Sequence, residues 1–504
     1  MTLRYPLFLL LLFVCASTRA LGEDALPAVY LTGTFGYDYA QGTIAVKEYP
    51  DAEAETFHMK AKWRGGITNN ADKHKRNYSV KLLDGEGAKL ETSFLGMRND
   101  NHWILEACQV DMIRVRNRVM TDLWNDFAHK PYYFGQEPKA LSGTRGQFVE
   151  LYLNGQYRGI YCLTECVDRK QMKLKKYATD AAGNVTHHGF LYKGKDWSYE
   201  MFMGHNKDVR SYSTPNRQAT SIASYGYREE WCNYAVEYPD IDDVKPVFWQ
   251  PLYDAVNLIC AGSDAEVEAK FEEYFDYPVF LDFCILLEVM LSTDNHGKNL
   301  YYGIYDIQES PRITFGVWDM DAVMGQRWSD AYYHNALMRP EQDYRTYITN
   351  NEHGDWNIYR RVSELNVKGF NDTIRYRYRD LRQTWLHTDS LIARFSRYID
   401  RFETTGAAAR EEKKWSYDTD IARLKLDLKA ELSWLSDWIE RRMNYLDTYR
   451  FRIADLPEVN SIEAVEMVSA DEEQPCYNLE GHRVDPKTYR GLMIRGGKKM
   501  VIAR

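Results

Sequence analysis

The residues best suited to chemistry are carboxylates and amides that follow one another in a fixed order. Asp294, Lys298 and Asn299 lie in one short stretch, and Asp319 and Asp321 come after an apparent hairpin. Hard divalent cations prefer oxygen ligands, which Asn299, Asp319 and Asp321 supply. Asp294 stays ionised near a metal and a lysine, so it is suited to orient a hydroxyl group and accept its proton. The pattern predicts phosphoryl transfer, with Lys298 offsetting the charge of the transferred phosphate.

Each part of this pattern also has a purely structural explanation. The sequence from Asp294 to Gly297 is typical of a turn, because Asp and Asn bond their own backbone and Gly accepts a positive φ. Asp319 and Asp321 could equally leave a strand and cap a helix. The joint order and spacing of the residues favour the chemical interpretation.

The elements predicted around these residues would bring them together. Residues 300–305 and 312–318 alternate or run apolar with turn-forming residues between them, which predicts a hairpin. Such a hairpin returns the chain and places Asp319 close to Asn299. Helices are predicted over residues 246–260, 264–275 and 278–291. The third of these is apolar enough to be a buried helix that leads into the loop of Asp294.

Further segments share their residues with one known family. They are Trp63–Gly66, Lys75–Leu82, Asp111 followed by Arg116-Asn117, Phe148–Glu165 and Gly189–Lys193. Through these segments and the central motif, the chain resembles the spore coat protein H (CotH) kinase family, an atypical branch of the protein-kinase-like fold. The resemblance covers residues 55 to 450. It implies an α+β, two-lobed fold, with a β-rich N-terminal lobe, a helical C-terminal lobe and a short C-terminal β tail.

The resemblance also implies cofactors and site residues. ATP and Mg²⁺ or Mn²⁺ would be the cofactors, and the substrate would be a surface or secreted protein phosphorylated on Ser or Thr. Asp294 and Lys298 would be catalytic, and Asn299, Asp319 and Asp321 would bind the metal. The resemblance implies four nucleotide ligands. Three lie in strands of the family pattern, namely Arg64, Lys81 and Lys193. The fourth, Glu165, has the position of the adenine-contacting hinge.

The identity of the ATP lysine stays open at this point. Lys81 and Lys193 both have the strand context, and Lys75 or Arg76 could act from the loop before a strand. The chain has no full G-x-G-x-x-G loop to cover the phosphates, and the predicted helix that follows Lys81 lacks a central Glu to pair with a lysine.

Strands are predicted over residues 57–65, 77–83, 147–153 and 157–163, and helices over 111–127 and 366–450.

The amino terminus predicts export. Arg4 precedes an apolar run from Pro6 to Val14, and small residues end at Ala20, which together are typical of a secretory signal peptide over residues 1–20. Cleavage after Ala20 is favoured over lipidation at Cys15. We expect an extracellular, periplasmic or cell-surface protein without a transmembrane segment.

Domain boundaries follow from changes in pattern. Residues 21–165 are predicted to form the nucleotide lobe, 166–452 the mainly helical catalytic lobe, and 453–504 a linker and β tail. In the tail, apolar and polar residues alternate and glycines interrupt the pattern. This fits either a sorting signal or a hairpin docked on the body.

Composition limits the alternatives. The chain is 44% hydrophobic and carries a net charge of −9, which argues against nucleic-acid binding. Widely spaced cysteines predict buried thiols without a zinc site.

Because 14% of the residues are aromatic, a pseudokinase-like adhesin or glycan-associated binding protein is the main alternative to a kinase. A metal-dependent phosphoester hydrolase is disfavoured, because no second His or Asp constellation typical of two-metal sites is present.

Overall fold

The computed structural model describes most of the chain in ordered segments. These are residues 25–49, 51–66, 69, 73–203, 218–327, 334, 337–351, 357–416 and 425–457, with four short strands between 476 and 502. The predicted signal peptide and Cys15 lie outside the described residues. Two compact units are present, one ending at Ile453 and the other starting at Ala454. The division into lobes of residues 21–165 and 166–452 stays a prediction.

Within the described residues, seven strands close into a barrel. They are β1 (Ala28–Thr32), β2 (Ala40–Lys47), β3 (Thr56–Arg64), β4 (Asn77–Leu83), β5 (His102–Glu106), β6 (Gly146–Leu153) and β7 (Gln156–Thr164). The order around the barrel is β1, β2, β3, β4, β5, β7 and β6, and a parallel pairing of β1 with β6 closes it. Alternate side chains of these strands point inward and fill the interior. The apolar residues of that core include Val29, Leu31, Ile44, Met59, Val80, Leu82, Trp103, Leu105, Val149 and Leu151.

A second, antiparallel sheet follows the barrel in sequence. Its strands are β10 (Phe190–Gly194), β11 (Glu230–Trp231), β12 (Tyr234–Tyr238), β13 (Leu300–Ile304) and β14 (Ile313–Val317), in the order β11, β12, β10, β13 and β14. Strands β8 (Ala178–Thr179) and β9 (Val185–Thr186) form a separate small pair. The strands of the second unit are β15 (Cys476–Asn478), β16 (Arg483–Val484), β17 (Gly491–Arg495) and β18 (Lys498–Ile502).

Helices make up most of the remaining structure. They are α1 (Arg116–Phe127), α2 (Arg169–Met172), α3 (Gln250–Ala261), α4 (Asp264–Tyr274), α5 (Tyr277–Met290), α6 (Tyr344–Asn351), α7 (Asn357–Leu365), α8 (Phe370–Arg382), α9 (Thr388–Thr404), α10 (Ala407–Trp415) and α11 (Leu428–Tyr445). Short 3₁₀ turns lie at Val367–Gly369 and Ile453–Asp455, and a π-helical turn extends α11 over Leu446–Arg450. The mixture of strands and helices confirms the predicted α+β class.

Helix α5 is the buried helix that leads to the catalytic motif. Nearly all its residues are buried, as its apolar sequence predicted. Its two buried carboxylates are both bound: Asp282 accepts hydrogen bonds from Arg377, and Glu288 accepts them from Tyr359 and Arg450. Each buried carboxylate therefore has an arginine as counter-charge, and neither is left as an uncompensated buried charge.

Two predicted helices differ from those in the structure. The helix predicted over 111–127 begins at Arg116, because the Asp111 side chain accepts hydrogen bonds from the N–H groups of Ile113 and Arg116 and forms a turn. The prediction that residues 366–450 are helical is confirmed for the helices α8 to α11, but the helical stretch is not continuous. It breaks after Arg382 and again at Gly406, which has φ of 70°.

A buried ion cluster joins helix α10 to the barrel. Glu411 lies on α10 and accepts hydrogen bonds from Lys75 Nζ at 2.7 Å, from Arg114 Nε at 2.8 Å and from the N–H of Ile160 at 2.7 Å. Burial lowers the pKa of Lys75 to about 8, although Glu411 opposes that shift. The cluster is a structural role for Lys75, which the sequence had left as a candidate for ATP binding.

We expect Glu411→Gln to lower the free energy of unfolding by about 3 to 5 kcal/mol, because the change leaves two buried cations without their counter-charge. Urea denaturation of the purified protein measures the loss. Glu364→Gln is the matched control, since Glu364 is 53% exposed and pairs only with Arg360 on the surface. Its expected cost is below about 1 kcal/mol, and equal losses in the two variants would contradict the assigned role of Glu411.

No helix in the described part of the chain is both long and apolar enough to cross a membrane. Every cysteine described in the first unit is a free thiol, and Cys162, Cys166, Cys260 and Cys284 are buried. Cys108 and Cys232 are half-buried, so the prediction of buried thiols holds only in part.

Candidate active site

The predicted catalytic and metal-binding residues line one cavity. Asp294, Lys298, Asn299, Asp319 and Asp321 all contribute to its wall, and its volume is about 970 Å³. They come from the loop after helix α5 and from the end of the β13–β14 hairpin. The structure therefore brings together all five residues that the sequence predicted for these two roles.

The hairpin register explains why the amide and the carboxylate meet. Leu300 pairs with Val317, so Asn299 directly precedes one strand and Asp319 follows the other by two residues. Both residues adopt a left-handed backbone, with φ of 54° for Asn299 and 57° for Asp319. Asn and Asp tolerate this conformation better than other non-glycine residues, which gives these two residue types a backbone reason as well as a chemical one.

The loop that carries Asp294 is hydrogen-bonded to β10 and to the residues that follow β14. Asn295 Nδ2 donates hydrogen bonds to the carbonyls of Trp318, at 2.8 Å, and of Asp319, at 3.3 Å. The N–H of Asn299 donates to the carbonyl of Gly194 at 3.1 Å. A Cβ at position 194 would lie 2.1 Å from the Gly297 carbonyl oxygen, so only glycine allows this approach.

Asp294 is held by two neighbours of the same loop. Asn299 Nδ2 donates to Asp294 Oδ2 at 3.1 Å, and Lys298 Nζ lies 3.5 Å from Asp294 Oδ1. The Asp294 side chain keeps 15% of its surface exposed to the cavity side and solvent, and Lys298 keeps 29%. A carboxylate with a cation and a donated hydrogen bond is stabilised in its ionised form.

Carboxylates cluster inside the cavity. Burial raises the pKa of Asp321 well above its usual range, and the negative charges of Asp319, Asp111, Glu106 and Asp294 raise it further. A divalent cation among these groups would relieve the repulsion.

Glu106 is a cavity residue that the sequence analysis missed. It ends β5, and burial raises its pKa to about 7, with Arg64 lowering the pKa and Asp319 raising it. Asn117 Nδ2 donates to Glu106 Oε2 at 2.9 Å, and Asn117 Oδ1 accepts from the N–H of Met320 at 2.9 Å. Helix α1 thus connects Glu106 to the segment of Asp319 and Asp321. The sequence signal for Glu106 was only an acidic residue directly after an apolar run.

Asp111 is a second cavity residue to which the sequence assigned no role in the site. Its carboxylate pairs with Arg116, whose Nη2 also donates to Glu431 at 2.9 Å. Glu431 lies on helix α11 and binds His334 as well. This chain of paired charges attaches one wall of the cavity to the helical region.

The oxygen ligands in the cavity suit a magnesium ion that keeps other ligands besides the protein, and they do not form a closed cage of protein side chains. Within the described residues, no three His, Cys, Asp or Glu side chains converge as a metal cage. Mg²⁺ does not need one, because it usually binds through one or two carboxylates and keeps water and phosphate oxygens as its other ligands. Asp319 and Asp321, with the Asn299 amide, match that requirement.

Two cations lie on another wall of the same cavity. The Arg64 guanidinium lies 5.3 Å and the Lys193 ammonium 5.9 Å from the centre of the Trp318 ring. Lys193 is on β10 and also lies 5.3 Å from the Tyr301 ring. Burial lowers its pKa, and the nearby Glu237 opposes that shift. Arg64 is the last residue of β3, and Lys193 is the last residue but one of β10. Two cations on one wall of a cavity suit an anionic ligand.

The two remaining predicted nucleotide ligands are not among the residues that line this cavity. Lys81 lies on β4 with its ammonium 5.1 Å from the Tyr39 ring. Glu165 follows β7 and is buried, where it accepts hydrogen bonds from Arg145 Nη2 at 2.8 Å and from the N–H of Arg98 at 2.9 Å. The role of each residue in nucleotide binding stays a prediction.

Comparison with known proteins agrees with these features. The sequence model of the family described as CotH kinase protein matches residues 61–446, which is most of the chain. No curated protein is significantly similar to the chain. The matched region contains the end of β3, the later barrel strands, the second sheet and every residue of the cavity named above. The chain therefore belongs to the CotH kinase protein family.

Proposed function

We propose that this protein is an exported atypical protein kinase. It transfers the γ-phosphate of ATP, with Mg²⁺ or Mn²⁺, to Ser or Thr of a surface or secreted protein. The observation that carries the proposal is that Asp294, Asn299, Asp319 and Asp321 share one cavity with the cations Arg64 and Lys193. Membership of a kinase family supports the same reaction class.

The roles of the residues follow from the needs of phosphoryl transfer. Asp294 orients the acceptor hydroxyl and takes its proton, because its carboxylate lies in the cavity, is partly exposed and has the Lys298 ammonium 3.5 Å away. Asn299, Asp319 and Asp321 hold the metal, which when bound neutralises charge on the phosphates. Lys298 lies beside Asp294 and offsets charge on the transferred group.

Fold and location are parts of the same proposal. The barrel, up to Glu165, corresponds to a nucleotide lobe, and the mainly helical region after it corresponds to a catalytic lobe. Glu165 would mark the hinge between them. Export rests on the predicted signal peptide of residues 1–20.

Lys193 is the lysine that we expect to contact the phosphates. Lys193→Ala should lower the rate of phosphoryl transfer by about 100-fold, because one well-placed electrostatic contact to the transition state contributes a few kcal/mol. Lys81→Ala is the matched control, since it removes a strand lysine outside the cavity lining. Labelled-phosphate transfer measures both rates, and a thermal melt checks folding. The assignment is wrong if Lys81→Ala has the larger effect.

The experiment that tests the function uses purified protein, labelled ATP, Mg²⁺ or Mn²⁺, and extracellular protein from the native source. A kinase labels a protein band on Ser or Thr and needs the divalent ion. Nucleotide binding without label transfer would favour the pseudokinase-like adhesin. Release of free phosphate from a phosphoester without nucleotide would favour the hydrolase.

A further inference from the structure

A second cavity, distinct from the active site, is rich in positive charge. Its volume is about 630 Å³. Its basic residues come from the segment before β4, from β7 and from helix α10. They are Lys73, His74, Arg76, Arg158 and Lys414. No Asp or Glu is found among the described residues that line it. In a chain with net charge −9, such a concentration of cations favours an anionic ligand.

Aromatic rings hold three of these cations. The Arg76 guanidinium lies 4.3 Å from the centre of the Trp63 ring, and Arg158 lies 5.3 Å from that of Trp415. Lys414 Nζ lies 5.5 Å from the Trp415 ring. The fork of guanidinium N–H groups matches the geometry of carboxylate and phosphate oxygens, and a lysine ammonium adds a point charge.

A hydrogen bond also holds the guanidinium of Arg158 in place. Its Nη2 donates to the His74 carbonyl at 2.6 Å, which joins β7 to the segment before β4. Within the same segment, Lys75 is buried and pairs with Glu411 of helix α10, which anchors the chain between His74 and Arg76. Preorganised cations lose little conformational entropy when a ligand binds.

Trp63 connects the two cavities. Its side chain lines the basic cavity and the active-site cavity, and the next residue, Arg64, lines only the latter. The two cavities therefore adjoin each other at Trp63. The cations are spread over three segments with indole rings between them, which suits an extended chain with several anionic groups better than a single small anion.

We propose that the basic cavity binds an acidic segment of the protein substrate, through carboxylate or phosphoserine side chains, while a hydroxyl of the same substrate enters the active site. The substrate role rests on the proposed kinase function, but the binding itself does not. The site gives the enzyme a preference for acceptors with acidic neighbours.

The test measures peptide binding to the full-length protein without nucleotide. Three fluorescent peptides share one sequence and carry Glu, phosphoserine or Gln at the same positions. The variant Lys73→Gln, Arg158→Gln, Lys414→Gln should bind both acidic peptides at least about tenfold more weakly than the parent protein. The Gln peptide should bind weakly to both proteins.

A matched triple variant controls for net charge. Lys245, Lys368 and Lys429 are about half or more exposed and pair with surface carboxylates, so their replacement by Gln should leave peptide affinity unchanged. If the cavity variant does not fold, the double variant Lys73→Gln, Lys414→Gln replaces it, with a smaller expected loss. The Glu and phosphoserine peptides distinguish an acidic substrate from one already phosphorylated.

Several results would overturn the proposal. One is equal affinity of the parent and the cavity variant for the acidic peptides. Another is binding of the Gln peptide to the parent as tightly as the acidic peptides. The third is full displacement of the peptide by inorganic phosphate at micromolar concentration, which would indicate a small-anion site. In steady-state transfer, the cavity variant should raise KM for an acidic acceptor, whereas the surface triple variant should keep the parental KM and kcat. Absence of transfer with intact acidic-peptide binding would reject the kinase function alone.

Discussion

Asp294→Asn is expected to lower phosphoryl transfer by about 100-fold to 10,000-fold, which is the usual contribution of a positioned general base. The amide keeps the size of the carboxylate and can still accept the hydrogen bond that Asn299 donates. It cannot accept the proton of the acceptor hydroxyl. Nucleotide affinity should therefore stay close to that of the parent protein, since Asp294 is not among the proposed metal ligands.

Two measurements on the same preparation separate these effects. Labelled-phosphate transfer gives the rate, and calorimetry with Mg²⁺ and nucleotide gives the affinity. Asp389→Asn is the control, because the Asp389 side chain is 91% exposed and lies on helix α9, outside the cavity. Parental transfer by Asp294→Asn would remove the base from the mechanism and with it the kinase proposal.

Asp319→Asn is expected to abolish metal-dependent nucleotide binding. We expect the affinity for nucleotide with Mg²⁺ to fall by about 100-fold or more, since even residues that only support a metal ligand contribute about 10- to 100-fold. Asparagine is the right replacement here, because Asp319 has φ of 57° and Asn accepts that conformation, whereas alanine would add backbone strain.

The comparison of Mg²⁺ with a chelator is the control for this variant. The parent protein should bind nucleotide more tightly with Mg²⁺ than with chelator, and Asp319→Asn should bind equally under both conditions. A melting curve for each protein checks that the buried segment around Met320 remains folded. If the variant keeps the metal dependence, the metal lies elsewhere in the carboxylate cluster, and Glu106 and Asp111 become the next residues to replace.

The sequence was most informative where the structure is local. Asn299 and Asp319 were predicted to meet because a short hairpin joins them, and the pairing of Leu300 with Val317 explains their proximity. The loop of Asp294 was predicted to follow a buried helix, and helix α5 ends directly before it. Alternation, turn residues and apolar runs act over a few residues, so they can be recognised without knowing the rest of the fold.

The sequence was least informative about strand residues far from the motif. Lys81 and Lys193 are both strand lysines in family-like segments, yet only Lys193 lines the active-site cavity. Lys75 was a candidate for ATP binding, and the structure pairs it with Glu411 in a buried cluster. Which way a strand residue faces depends on its partner strands, and a shift of one residue would reverse it.

By itself, the sequence determined the α+β class, the family and the five residues of the proposed catalytic and metal-binding motif that share one cavity, because these five residues lie in two neighbouring segments with a fixed order and spacing. Only the tertiary structure decided that Glu106 and Asp111 join them, that Arg64 and Lys193 form the cationic wall, and that a basic cavity lies beyond Trp63. These groups come from segments far apart in the chain, so their charges act on one another only after the barrel and the second sheet have formed. Burial then raises the pKa of Glu106 and lowers that of Lys193, and burial belongs to the fold as a whole.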